Sequence, residues 1–310
     1  MKTAFLFPGQ GAQTLGMGRD IAQAYHPADE IYDKANNIVG FDIKKICFEG
    51  PQEKLNTTEF SQPAIFVTSA AILEVLKSHK PTLTPDVTAG LSLGEYTALY
   101  AAGLISFKDA MLLVKQRGQA MQQAAEKNAG SMVSIIGLEE EKVRLLCEKA
   151  AQGELLEPVN FNCPGQIVIS GSKTACQRAE KLATELGAIK AIPLKVAGAF
   201  HTEMMESAAR RLEQALQNCN ISQPKNIKVI SNITAEHYHS SEDIFQGLTK
   251  QLTQPILWQQ SMQRLIAYEV DEFYEIGPGK VLTGLMKRID RKKNITNISN
   301  KSAIEKLLTT

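Results

Sequence analysis

A chain of 310 residues with 44% apolar content is long enough to bury a large core, and its formal net charge of +1 leaves no basic footprint for nucleic acid. Five cysteines (Cys47, Cys147, Cys163, Cys176, Cys219) are scattered with no Cys-x-x-Cys pair, which argues against a zinc site or a disulfide framework and for a reducing, cytoplasmic setting. The apolar run Ala4-Phe-Leu-Phe7 halts at Pro8-Gly9, too short for a signal-peptide core, and no stretch approaches the ~18 apolar residues of a membrane span.

Residues 3–7 read as a buried strand closed by a Gly-rich turn, and helical periodicity follows over 16–38 and again over 62–77. The stretch from Ala89 to Gly103 predicts a strand end, a tight turn and an Ala-rich helix, and a further helix is expected over 107–126. Such alternation is that of an α/β sheet domain. From residue 130 the order becomes strand (131–136), helix (139–151), strand (156–162), strand (166–171), helix (173–187) and strand (189–196). This βαββαβ order is the split βαβ, or ferredoxin-like, unit. It predicts a small domain over 128–197, inserted into a larger one formed by 1–127 and 198–310. Helix (203–217), strand (228–231), helix (254–268) and strand (272–276) complete the larger domain.

Gly90-x-Ser92-x-Gly94 between a strand and a helix has the form of a nucleophile elbow: small flanking residues permit a cramped turn that lifts the hydroxyl above the sheet edge. At that helix start the Leu93 N–H can face a developing oxyanion. The same five residues also suit an ordinary tight turn. A nucleophilic serine needs a base, and the chain offers His26, His79, His201, His237 and His239. The first two sit at polar helix ends and the last two in a polar loop, whereas His201 stands in the apolar, Gly-containing turn Val196-Ala-Gly-Ala-Phe-His-Thr202, at the junction of the two expected domains. His201 is therefore the candidate base, with a satisfied structural imidazole as the alternative. A base must be neutral, so serine loading is expected to fall as His201 protonates between pH 5 and 8.

Arg117 falls on the apolar stripe of the 107–126 helix, among Ala110, Leu113, Val114, Met121 and Ala124, with no acid three or four residues away. A buried guanidinium needs a partner, either an acid elsewhere in the fold or a substrate carboxylate. Two Gly-rich stretches, at Gly9-Gln-Gly11 and Gly279-Lys280, lack the spacing of dinucleotide or phosphate loops. The first still offers a loop after a strand from which the Gln10 N–H can be aimed at Ser92.

Taken together, Phe7-Pro-Gly-Gln-Gly-Ala-Gln13, Gly90-Leu-Ser-Leu-Gly-Glu95, Gln116-Arg-Gly118, Asn160-Phe-Asn-Cys-Pro-Gly-Gln166, Gly198-Ala-Phe-His-Thr202 and Glu275-Ile-Gly-Pro-Gly279 resemble the malonyl-CoA:acyl carrier protein transacylases, in order and spacing over nearly the whole chain. The resemblance implies an α/β-hydrolase-like core with a ferredoxin-like insert. It implies a ping-pong transfer in which Ser92, with His201 as base, takes malonyl from coenzyme A as an ester and passes it to the phosphopantetheine thiol of acyl carrier protein. By matching position Arg117 holds the malonyl carboxylate, the amides of Gln10 and Leu93 form the oxyanion hole, and the main-chain carbonyl of Gln251 orients the histidine. Phe200 excludes a methyl branch and Asn162 lines the pocket. No metal or cofactor is implied, and the simple members of the family suggest a monomer. One departure stands out: the family usually carries His before the nucleophile, and here it is Leu91. Two other readings use the same residues, an acyl hydrolase or trans-acting acyltransferase of a polyketide pathway and an inactive paralogue that docks carrier protein. In the transferase reading the small domain covers the ester and keeps water away.

Overall fold

A computed structural model describes residues 1–309, and two sheets organise them. Strand β1 (Thr3–Phe7) is followed by five helices, α1 (Arg19–Ala24), α2 (His26–Val39), α3 (Ile43–Glu49), α4 (Gln52–Asn56) and α5 (Thr58–His79), and then by β2 (Val87–Gly90), α6 (Gly94–Ala101) and α7 (Phe107–Lys127). The middle of the chain gives β3 (Gly130–Ile136), α8 (Glu140–Ala151), β4 (Leu156–Cys163), β5 (Gln166–Ser172), α9 (Lys173–Glu185) and β6 (Lys190–Pro193). A short 3-10 turn (Glu203–Met205) leads into α10 (Glu206–Leu216), β7 (Lys228–Val229) and α11 (Ser241–Lys250). The chain ends through α12 (Trp258–Ala267), β8 (Glu272–Ile276), α13 (Val281–Ile289), β9 (Ile295–Ile298) and α14 (Lys301–Thr309).

The first sheet is parallel throughout, in the order β7-β2-β1-β8-β9. Helices cover it, so β1 at its centre is buried at every position and its sequence is a near-continuous apolar run rather than an alternating one. The second sheet is antiparallel, in the order β4-β5-β3-β6. It has a core of its own, in which Val133 and Ile135 of β3 and Ile169 of β5 meet Leu146 of α8 and Ala179 of α9. The fold is thus mixed α/β, a parallel sheet plus an antiparallel one. Backbone bonds from Phe161 N to Ile256 O (3.0 Å) and Ile256 N to Val159 O (2.7 Å) tie β4 to the loop before α12.

Several elements differ from the sequence expectation for local reasons. Residues 16–38 hold two helices, because Tyr25 is extended (φ −131°) and Pro27 starts a new one. The strand expected over 189–196 is shorter, Lys190–Pro193, with one further backbone bond from Leu194 N–H to Met132 O. The 254–268 helix begins only at Trp258, beyond Pro255. Helix α5 is, among the described residues, the one helix long and apolar enough to cross a membrane, although its polar residues had broken up the apolar run in sequence; 83% of that window is buried inside the fold.

Candidate active site

Strand β2 ends in a turn that only glycine can build at two positions. A Cβ on Gly90 would lie 1.9 Å from the Gly94 carbonyl carbon, and one on Gly94 would lie 2.1 Å from Phe7 O of the neighbouring strand. Ser92 between them has φ +50°, a left-handed conformation that is costly for a residue with a side chain and is held here by its surroundings. Asn232, just past β7, brackets the turn: its Oδ1 accepts the Ser92 N–H (2.6 Å) and its Nδ2 donates to Gly90 O (2.7 Å). Gly9 is required by backbone too, since a Cβ there would sit 2.2 Å from Leu91 O.

The serine hydroxyl meets two of the sequence candidates. Ser92 Oγ lies 3.1 Å from His201 Nε2, and Arg117 Nη2 donates to the same oxygen at 3.0 Å. His201 is also held at positive φ (+63°), and its Nδ1 is 2.7 Å from the main-chain O of Gln251. A carbonyl can only accept, so Nδ1 carries the proton and Nε2 is the bare nitrogen facing the hydroxyl. Burial, and next the Arg117 charge, push this imidazole down to about 3 against the pull of the Gln251 carbonyl. It is therefore neutral throughout pH 5–8, which corrects the expectation that protonation of His201 lowers loading in that window.

Arg117, 1% exposed, has no ion-paired acid. Its Nη1 donates to Gln62 Oε1 (2.7 Å), its Nη2 also donates to Gln251 Oε1 (2.8 Å), and its Nε has no partner. The guanidinium stacks over Tyr96, with Cζ 5.5 Å from the ring centroid. Of the two partners expected from sequence, an acid elsewhere in the fold is absent among the described residues; neutral amides stand in its place. Burial lowers the guanidinium from its usual value.

A cavity of about 480 Å³ opens above Ser92 between the two sheets. Gln10, Leu91, Met132, Asn162, Phe200 and His201 are among its walls. Asn162 Oδ1 is buried with no partner, and Phe200 is buried against the main core. Gln10 and Leu93 flank the serine from the loop after β1 and from the start of α6, and their main-chain N–H groups make no bond within the described residues. Leu91, the departure noted in the sequence, presents an apolar side chain beside Ser92. The remaining histidines lie away from Ser92: His26 pairs with Glu30, His79 bonds Val75 O, and His237 and His239 pack on each other. No cluster of three or more metal-ligating side chains exists among the described residues.

Four groups around the serine were not singled out from sequence. Gln62 and Asn232 bond Arg117 and the turn, while Glu95 and Tyr238 lie behind them, with Glu95 fully buried. Glu95 stood inside the quoted elbow string but had no assigned role; nothing local marks the other three.

Elbow, buried base and unpaired guanidinium at one oxygen define an acyl-transfer site, and the comparisons agree: residues 4–304 match the acyl transferase domain family, to which this chain belongs. A malonyl CoA-acyl carrier protein transacylase of Bacillus subtilis (strain 168) is 43% identical over 305 residues, 98% of this chain and 95% of that one. The Escherichia coli (strain K12) protein of the same name is 41% identical over 286 residues, 92% of each. Among solved structures, a malonyl-transacylase in complex with a type II PKS acyl-carrier protein superposes with TM-score 0.96 at 38% identity, covering 100% of this chain and 99% of that one. An acyl carrier protein S-malonyltransferase from Vibrio cholerae gives 0.94 at 40% identity, covering 99% and 100%.

Proposed function

We propose that this acyltransferase moves a malonyl group from malonyl-CoA to the phosphopantetheine thiol of acyl carrier protein through an ester on Ser92, supplying fatty acid biosynthesis. The observation that carries this is one oxygen with two neighbours: Ser92 Oγ at 3.1 Å from a bare imidazole nitrogen and 3.0 Å from a guanidinium N–H. In the first half, Oγ attacks the thioester carbonyl as its proton passes to His201 Nε2; the carbonyl oxygen collects charge facing the free N–H groups of Gln10 and Leu93; the coenzyme A sulfur then leaves, taking the proton back. In the second half the carrier thiol gives its proton to Nε2 and its sulfur attacks the ester, and Oγ departs with the proton. The Gln251 carbonyl holds the imidazole, in place of a triad acid. Arg117 turns from Ser92 Oγ to the malonyl carboxylate, Phe200 fills the space of a branched acyl group, and Asn162 with its unpartnered Oδ1 is a wall of the pocket. A plain-acyl hydrolase would have no use for Arg117.

On the same reading the parallel sheet is an α/β-hydrolase-like catalytic domain (1–127 and 198–310) and the antiparallel sheet a ferredoxin-like small domain (128–197); the separate apolar cluster under the second sheet supports the division. We take the chain to act as a monomer in the cytoplasm: Ser92, His201 and Arg117 meet without need of a second copy, and five scattered, unpaired cysteines suit a reducing setting. With base, nucleophile and guanidinium present, Leu91 leaves activity in place, and its apolar side chain makes the pocket more apolar beside Ser92.

Incubation with malonyl-CoA, read by intact mass, gives a malonyl ester that Ser92→Ala lacks and that added holo carrier protein discharges to itself. Absence of the ester, or its loss only to water, would remove the assignment.

A further inference from the structure

Building on that function, we propose that Glu95 is a positioning residue whose carboxylate fixes Asn232 and Gln251, the two residues that between them hold the nucleophile turn, His201 and Arg117.

Glu95 is fully buried, and it is absent from the cavity wall, so it acts only through neighbours. Every group bonded to it donates: Tyr238 Oη to Oε1 (2.6 Å), the main-chain N–H of Asn232 to Oε1 (3.1 Å) and Gln251 Nε2 to Oε2 (2.5 Å). A carboxylate is the one side chain of this length that accepts on both oxygens. The consequence lies in the Gln251 amide, whose two ends are not interchangeable. Nε2 serves two acceptors, Glu95 Oε2 and Ser92 O (2.9 Å), which leaves Oε1 to receive the Arg117 guanidinium. Reversed, the amide would set its oxygen against two oxygens and its NH₂ against a cation. Glu95 therefore selects the amide orientation that aims Arg117 at Ser92 Oγ. Through the Asn232 N–H it also anchors the residue that clasps the serine turn on both sides. Glu95 lies immediately after Gly94, so the turn and its anchor are set by one short stretch of chain.

The test is Glu95→Gln, which keeps the shape and replaces one acceptor oxygen by a donor. Malonyl and acetyl loading on Ser92 are followed by mass with both thioesters in competition, each rate divided by the total ester-forming fraction. We expect malonyl loading to fall about 10-fold or more, and the malonyl-to-acetyl preference to fall with it, because misplacing a positioned group by about 1 Å can cost ~10²-fold. A purely structural role would lower the ester-forming fraction and leave the preference of that fraction unchanged, and this result would overturn the proposal. Gln251→Met keeps the carbonyl that holds His201 and removes the amide, so it must lose preference in the same way. Should Glu95→Gln fail to fold, an unchanged preference in Gln251→Met overturns the proposal by itself. The unmodified chain separates the two levels: no malonyl ester on it ends the proposed function, whereas normal loading and preference in it and in both variants ends only the role of Glu95.

Discussion

The guanidinium of Arg117 spends its hydrogen bonds on Gln62, Gln251 and Ser92, all neutral, in a setting where a buried charge without a bonded counter-ion is costly. A carboxylate entering the cavity supplies what the resting site lacks, and a plain acyl group does not. Arg117→Ala is accordingly expected to slow malonyl loading by about 10- to 100-fold, the equivalent of the ~1.5–3 kcal/mol of a hydrogen bond to a charged group, with a smaller effect on acetyl. A competition assay in which the malonyl-to-acetyl ratio did not move would remove Arg117 from the selection of substrate. Protonation can be assigned residue by residue as well. His201, held near 3, gives no inflection between pH 5 and 8. Glu95 does: burial pushes its carboxyl up to about 7, against the pull of Tyr238, Asn232, Gln251 and Arg117. The titratable groups around it are silent there, since burial drives Tyr238 and Tyr96 upward, away from neutrality, and Arg117 keeps its proton. A proton gained by Glu95 places a donor among donors, so malonyl loading should decline as pH falls through about 7, and the decline should vanish in Glu95→Gln. A step in that variant at the same pH would reassign it to another group.

Elements position these residues by close backbone contact, and glycine marks where contact is closest. Gly94 begins α6 against the Phe7 carbonyl, with no side chain to yield, so Gly94→Ala must part β1 from α6. We expect a loss of about 3 kcal/mol, the upper end for overpacking, visible as a drop in melting temperature together with loss of ester formation. Gly284 in α13 is the contrast: nothing lies within 4 Å of its missing Cβ and its backbone is helical, so Gly284→Ala should stabilise by about 0.5–1 kcal/mol. Melting curves that moved the same way for both would discredit the contact argument. Element by element, the sequence was readable where the pattern is local: β1 is a buried apolar run, α8 and α9 carry clean stripes, and the Gly90 to Gly94 turn announces its own tightness. Helices α3, α4, α11, α13 and α14 went unseen because each has ten residues or fewer, too few turns to establish a period. The site divides along the same line. Ser92, His201 and Arg117 betray themselves by local context, whereas Asn232 and Tyr238 matter through contacts remote in the chain, to Glu95 137 and 143 residues away and, for Asn232, to Ser92 and Gly90 as well.

On the scale of the molecule, the cavity belongs to neither sheet alone. Its floor comes from the parallel sheet at Gln10, Leu91 and Ser92, and its cover from the antiparallel sheet and the segment after it, through Met132, Val168, Leu194 and Val196. The bonds between Ile256 and β4 hold the two halves together beside the site. On the proposed function, an ester on Ser92 faces Met132, Val168, Leu194 and Val196 of this cover, and these apolar side chains are what would keep water from it. Leu194 tests the point. Its side chain is only partly buried, and its backbone is anchored separately by the bond from its N–H to Met132 O (2.9 Å), so trimming it opens the cover and leaves the sheet intact. In Leu194→Ala the malonyl ester, isolated without carrier protein, should decay about 10-fold faster, which corresponds to ~1.4 kcal/mol less protection from water. The readout is the ratio of hydrolysis to transfer, followed by mass with and without holo carrier protein. If the ester proved as long-lived in this variant as in the unmodified chain, water exclusion would have to reside in the floor, and the antiparallel sheet would lose its part in the chemistry.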